Sequence, residues 1–227
     1  MPEGAFIVLE GIDGAGTTTQ VDRLAIALRE RGVLTVTTRE PSGGPVGTFL
    51  RRIMRGEVLA DLPAAAMALL FAADRLDHLA GEVEPNLARG AVVLCDRYDL
   101  STLTYQSATH PEGERIAPWL RAINSRARRP DLTIVLDVPA DVAEKRRAAR
   151  GGAEELFERR ELQQRLAGLY AQAERLLPGD RIVRVDGNRS PAEVAATVLE
   201  VTLAYLDAPR PFPSPRSKSW PLSDDDL

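Results

Sequence analysis

Five short apolar runs, at residues 5–10, 33–38, 91–96, 132–137 and 181–186, are each closed by turn-forming residues and separated by longer stretches with helical spacing of apolar side chains. Unbroken runs of this length, rich in Val, Ile and Leu, predict strands covered on both faces, and connections long enough to hold helices predict that the strands run parallel. The expected fold class is α/β, a three-layer sandwich around a five-stranded parallel sheet. Between the strands, residues 63 to about 87 are rich in Ala and Leu and predict one long helix, while 140–149 and 155–177 predict two more around Gly151-Gly152. A last helix should run from Pro191 to about residue 206, with Ser190 as its N-cap. Three of the runs end in Asp96, Asp137 and Asp186, which puts carboxylates at the carboxyl edge of the sheet, where open α/β sheets bind ligands.

The pattern stops near Ala208. Pro209, Pro211, Pro213, Pro215 and Pro221 alternate with Ser and Arg and lead into Asp224-Asp225-Asp226. Such a segment cannot offset the entropy of its own ordering, so one domain is expected at 1–207 and a disordered tail at 208–227.

Composition narrows the function classes. A chain of 227 residues, 44% apolar and 27% charged, can bury one good-sized core. Its net charge of -4 lacks the basic excess that a nucleic-acid or anionic-membrane partner would call for. No stretch reaches the ~18 apolar residues of a membrane span, and the N-terminus enters the first strand without a leader pattern. Cys95, the only cysteine, falls in an apolar run, which suits a buried thiol in a reducing cytoplasm. His78 and His110 belong to no zinc pattern, and no Ser/His/Asp nucleophile set is evident.

The chemistry begins at Gly11-Ile12-Asp13-Gly14-Ala15-Gly16-Thr17-Thr18-Thr19, which follows the strand run Phe6-Ile7-Val8-Leu9 and opens a helix with Val21, Leu24, Ala25 and Leu28 on one face. The frame G-x-x-x-x-G-[K]-[ST] uses its glycines to turn backbone N–H groups onto phosphate oxygens, and places a hydroxyl, here that of Thr18, to ligand Mg²⁺. Thr17 stands where the frame has lysine. Asp96 is the strand-end carboxylate available to the same metal, and Arg97 beside it offers a phosphate-binding fork. Phe71 and Arg75, four apart on a predicted helix, present a flat ring and a planar donor fork on one face, as a pyrimidine requires; pairing of Arg75 with Asp74 or Asp77 is the alternative. Ser101 with Tyr105 and Thr102 with Gln106 form two further pairs, enough polar groups to read a base edge and a sugar. Arg51 is either a second phosphate ligand or a surface arginine. Arg146, Arg147, Arg150, Arg159 and Arg160 flank Gly151-Gly152, and their spacing fits both a phosphate lid and a solvated basic face.

Four segments together carry a family resemblance: residues 6–20, Thr38-Arg39-Glu40-Pro41, Leu70-Phe71-Ala72-Ala73-Asp74-Arg75, and Asp96-Arg97-Tyr98 continuing to Ser101, Tyr105 and Gln106. In this order they resemble the thymidylate kinase family, over the chain to about Asp207. The resemblance implies a P-loop nucleoside-monophosphate-kinase-like fold, transfer from ATP to dTMP giving ADP and dTDP, Mg²⁺ as the only metal, and a homodimer. It implies that Phe71 stacks on thymine while Arg75 donates to O4, that Thr102 and Gln106 meet the base, and that Tyr105 lies under the deoxyribose. Arg97 and Arg51 would take the monophosphate, with Asp13 and Glu40 near the 3′-hydroxyl and the metal. A lid at about 147–160 would bring Arg150 and Arg159 over the phosphates, with Arg146 or Arg147 stacked on adenine and Asn188 in the loop beside it. Many relatives carry a lid arginine where this chain has Leu156. Two cationic positions, Thr17 and Leu156, are therefore changed, and Arg159, Arg150 or Mg²⁺ are the candidates to supply the charge. Ala64, Ala65, Ala68 and Ala72 would let the helix that carries them pack closely in a dimer. Two other readings stay open: a non-catalytic nucleotide-binding relative, and a deoxynucleoside kinase with Asp13 or Glu40 as its base.

Overall fold

The computed structural model describes residues 4–58, 62–150 and 160–208, with the side chain of Arg150 outside that set. The expected tail and most of the expected lid, including Leu156 and Arg159, lie outside the described residues. Five strands form one sheet in the order β2-β3-β1-β4-β5. They are β1 (Ala5–Glu10), β2 (Thr35–Arg39), β3 (Val92–Asp96), β4 (Leu132–Asp137) and β5 (Ile182–Asp186), and every pairing is parallel. The central strands β1 and β3 are buried at every position, which is why their sequences are unbroken apolar runs. Side chains of β1 alternate between the faces. Phe6 and Val8 pack with Leu79, Val83, Leu87 and Cys95, whereas Ala5, Ile7 and Leu9 join the larger cluster that includes Leu24, Leu28, Val194 and Val198.

Helix α1 (Thr17–Glu30) buries Val21, Leu24, Ala25 and Leu28, the stripe its sequence predicts. α2 spans Pro45–Met54. The long helix expected over residues 63 to about 87 forms as one continuous run, in which α3 (Ala64–His78) passes through one π turn, Leu79–Val83, into α4 (Glu84–Ala88). Pro85 accounts for the π turn, because it lacks an N–H and its ring clashes with the carbonyl four residues back in a regular helix. After β3 come α5 (Asp99–Thr109), a short 3₁₀ turn and α6 (Ala117–Ile123); after β4 come α7 (Ala140–Arg150), α8 (Arg160–Tyr170) and α9 (Ala173–Leu176). α10 (Pro191–Asp207) starts in a capping box: Ser190 Oγ accepts from the Glu193 N–H, and Glu193 accepts from the Ser190 N–H. Among the described residues no helix is long and apolar enough to cross a membrane.

Of the three strand-end aspartates only Asp96 faces the phosphate loop. Asp137 is held by Arg184 at 2.9 Å, and Asp186 accepts from the backbone N–H of Asn188 and lies 3.4 Å from Arg189. The edge strand β5 places them beside cations, so two of the three expected ligand carboxylates serve the scaffold.

Candidate active site

The loop between β1 and α1 has the backbone that its glycines permit. Gly14 and Gly16 sit at φ 88° and 97°, in the left-handed region, and a Cβ on Gly14 would lie 2.4 Å from the Ala143 carbonyl oxygen. α1 begins at Thr17 with no capping side chain and no acidic residue in its first turn. Its first N–H groups and the positive end of its dipole are thus left for an anion, and Gly11, Ala15 and Thr19 complete the loop around them. Thr17 is buried at the position where the frame has an ammonium.

Thr18 Oγ1 donates to Asp96 Oδ2, and Asp96 Oδ1 is buried without a partner. A hydroxyl beside a carboxylate that retains an unused oxygen is a donor set for a hard cation such as Mg²⁺, which is typically held by one or two protein oxygens with phosphate and water supplying the rest. No group of three or more His, Cys, Asp or Glu suited to a metal occurs among the described residues, so these two side chains are the fit.

Three arginines bind the loop from its flanks. Arg146 donates to the carbonyls of Gly187 at 2.9 Å and Ala15 at 3.4 Å, which ties the loop after β5, where Asn188 lies exposed, to the phosphate loop. Arg147 donates to the Asp13 carbonyl. Arg97 is the only non-glycine described residue with positive φ, at 70°. Its Nη2 meets Asp13 Oδ1 at 2.6 Å and its Nη1 meets the Gly11 carbonyl at 2.8 Å, with Ser101 Oγ and Tyr170 OH each at 3.3 Å. A strained arginine held by so many partners marks a place where the fold spends stability on side-chain aim. Asp13 Oδ2 accepts from Gln163 Nε2 at 2.9 Å. The Tyr105 ring lies 5.3 Å from the Arg97 guanidinium, and burial pushes its hydroxyl pKa well up.

A cavity opens beside Arg97, lined by Asp13, Glu40, Pro41, Met54, Phe71, Arg75, Tyr98, Ser101, Thr102, Tyr105 and Gln106. Phe71 and Arg75 therefore do share one face. Arg75 is 1% exposed. Its Nη2 donates to Glu40 Oε2 at 2.6 Å and Thr102 Oγ1 at 2.9 Å, its Nη1 donates to Asn124 Oδ1, and its Nε is buried with no partner. Burial opposes its charge, but Glu40, with Tyr98 and Asp99, outweighs that and holds the guanidinium above its usual pKa. The partner of Arg75 is thus Glu40 and neither of the acids on its own helix; Asp74 instead accepts from the N–H and hydroxyl of Ser42 at 2.8 and 2.5 Å. Glu40 also lies 3.3 Å from His78 Nδ1. Arg51 reaches the carbonyls of Pro41 and Ser42 and does not line the cavity, so it braces the turn that carries Glu40.

Several members of this constellation had no local sequence signal. Asn124, Gln163 and Tyr170 join the site from α6 and α8, far along the chain. Glu10 did carry one: an acid closing a fully buried strand, directly before the loop glycine. It is 0% exposed, and burial raises its carboxyl pKa from 4.5 to about 7, against the lowering effects of Ser101, Arg97 and the Tyr98 N–H.

A phosphate loop facing a side-chain-lined cavity across the carboxyl edge of a parallel sheet defines a P-loop kinase of the nucleoside-monophosphate-kinase type. The sequence model of the family described as "Thymidylate kinase" matches residues 9–198. The chain is 40% identical over 210 residues to the thymidylate kinase of Ruegeria pomeroyi, covering 91% of this chain and 98% of that one. It is 41% identical over 183 residues to the probable thymidylate kinase of Pyrococcus horikoshii, covering 79% and 87%. With the thymidylate kinase of Trichlorobacter lovleyi it shares 36% identity over 211 residues, 90% and 99% of the two chains. The chain belongs to the thymidylate kinase family.

Proposed function

We propose that this protein transfers the γ-phosphoryl group of ATP to dTMP, giving ADP and dTDP for dTTP synthesis. The observation that carries the assignment is the Arg75 guanidinium, fixed by Glu40, Thr102 and Asn124 with its Nε–H unpartnered, in one cavity with Phe71 and with Arg97 at the phosphate loop. Phe71 stacks on the thymine ring while Arg75 donates to O4, and Thr102 and Gln106 close around the base. Tyr105 lies under the deoxyribose. Arg97 receives the acceptor phosphate and holds it in line with the loop.

The attacking oxygen belongs to a phosphate already ionised, so no general base is needed, and rate comes from alignment and charge neutralisation. A deoxynucleoside kinase would need a free carboxylate for a 5′-hydroxyl. Asp13 is engaged by Arg97 and Gln163, and Glu40 by Arg75 and His78, which disfavours that chemistry. Thr18 and Asp96 would hold Mg²⁺, which when bound supplies charge neutralisation at the phosphates. The backbone N–H groups at the start of α1 cradle the ATP phosphates, and Arg146 and Asn188 flank the adenine.

The functional unit is a homodimer paired through α2 and α3. Phe49, Leu69 and Leu76 expose 40%, 50% and 42% of their surface there. Of the four alanines expected to face a partner, Ala68 and Ala72 are buried within the subunit, Ala64 and Ala65 are half-buried, and α3 also presents leucines. Light scattering at micromolar concentration should give twice the chain mass of 24.7 kDa, and a monomer would refute the pairing. The lone buried Cys95 suits a reducing, cytoplasmic setting. A coupled ADP-release assay with dTMP, dUMP, thymidine and GMP as acceptors tests the reaction itself. dTMP should be preferred; release with thymidine and not dTMP would make this a nucleoside kinase.

A further inference from the structure

Arg97 owes its aim to a residue that touches neither the base nor the phosphate positions. The Glu10 carboxylate, at the end of β1, accepts from four donors. Oε1 takes the backbone N–H of Tyr98 at 2.8 Å and of Ser101 at 3.2 Å, and Oε2 takes Ser101 Oγ at 2.6 Å and Tyr170 OH at 3.1 Å. Tyr98 is the N-cap residue of α5 and its own side chain makes no cap bond. Glu10 therefore caps α5 from another strand, satisfying two of the helix's orphan N–H groups and, once ionised above its raised pKa of about 7, adding a negative group at the positive end of the dipole. The residue just before that cap is Arg97, at φ 70°, whose N–H is held by the Leu9 carbonyl at 2.9 Å. The strained turn is clamped on both sides by the last two residues of β1.

The second half of the connection is a matter of hydrogen-bond polarity. Ser101 Oγ and Tyr170 OH each have one hydrogen, and Glu10 Oε2 can accept both. Their lone pairs are then free to accept from Arg97 Nη1, which lies 3.3 Å from each. An amide in place of the carboxylate would donate to these hydroxyls, whose hydrogens would then turn toward each other, the two oxygens being 2.9 Å apart, or toward the arginine.

We propose that Glu10 is a positioning residue for phosphoryl transfer, holding the Arg97 turn as a remote cap of α5 and orienting Ser101 and Tyr170 to accept from the Arg97 guanidinium. The inference rests on the assignment of Arg97 to the acceptor phosphate. A small misplacement of a group that aligns reactants costs up to about 10²-fold in rate.

The test is a two-mutation cycle on the full chain, reading kcat, the Michaelis constants for ATP and dTMP, and dTMP binding by calorimetry. Glu10→Gln should lower kcat by about tenfold or more and leave the Michaelis constant for ATP within about twofold. In an Arg97→Ala background the same change should cost less than about twofold, because its effect passes through Arg97. Tyr170→Phe, which removes one of the two relays, should cost several-fold and lose that cost in the same background. Should Glu10→Gln fail to fold, Tyr170→Phe and Ser101→Ala decide the matter by the same cycle. A folded Glu10→Gln enzyme with unchanged kcat, or a cost fully retained without Arg97, would overturn the proposal. An Arg97→Ala single variant with normal turnover would instead remove the assignment of Arg97 to the phosphate, and the inference with it.

Discussion

On the acceptor side of the cleft, Arg75, Glu40, Thr102 and Asn124 hold one another through side-chain hydrogen bonds, whereas on the donor side Arg146 and Arg147 reach, among the described residues, the backbone carbonyls of Ala15, Gly187 and Asp13. The two constructions suit two tasks. A buried side-chain network fixes a donor fork against one base shape, and loss of Glu40 leaves the Arg75 charge unpaired. Backbone N–H groups and a helix N-terminus bind phosphate, which every nucleoside triphosphate carries. Selectivity therefore belongs to the acceptor half. The donor half, built on main chain, can accept Thr17 in place of lysine as long as charge is supplied from elsewhere.

The comparison breaks most readily at Arg97, which joins the two halves through Asp13 and Gly11. Arg97→Ala should lower turnover on the order of 10³-fold as well as weaken dTMP binding. Normal turnover at saturating dTMP would confine Arg97 to binding or to structure. Arg75→Ala should act on one half alone, raising the Michaelis constant for dTMP by the equivalent of about 1.5–3 kcal/mol with a smaller change in kcat. An unaltered constant in a folded variant would take Arg75 out of the base site. Thr17→Lys sharpens the contrast from the other side: ATP should bind up to about tenfold more tightly and the Michaelis constant for dTMP should not move. Weaker ATP binding would mean that the cation replacing lysine already fills that place.

The smallest expected effect is on stability. The Glu10 carboxyl has a folded pKa of about 7, raised by burial above the ordinary 4.5. Between those values the unfolded chain releases the proton and the native state keeps it, so this contribution is whole below about pH 4.5 and is lost as pH rises through about 7. Urea unfolding at pH 5 and pH 7.5 should therefore show a shallower decline for Glu10→Gln than for the native chain. Equal slopes would place an ionised Glu10 in the folded state throughout.

How much of this was legible depended on how far each contact reaches along the chain. The central strands β1, β3 and β4 could be read because both their faces are buried; the edge strand β2 begins two residues later than its apolar run, since the Val33 N–H turns back to the Leu28 carbonyl and Leu34 meets β3 through its carbonyl, which accepts from the Val92 N–H. The i,i+4 pair Phe71 and Arg75 was visible as a shared helix face. What holds it was not, because Glu40 and Asn124 lie 35 and 49 positions from Arg75, and Gln163 lies 150 from Asp13. Glu10 carried a signal, an acid closing a fully buried strand, but its role did not show, because only the packing of α5 and α8 around it turns it into a cap.

The central claim is that a complete acceptor half, together with a loop that lacks its lysine, still performs transfer. It is tested most directly by following label from the γ-phosphate of ATP in the unmodified protein with Mg²⁺ and dTMP. The account predicts labelled dTDP, formed with dTMP and not with thymidine, and largely abolished by Arg97→Ala. Tight binding of dTMP with no label transferred would contradict it and leave a nucleotide-binding protein without turnover.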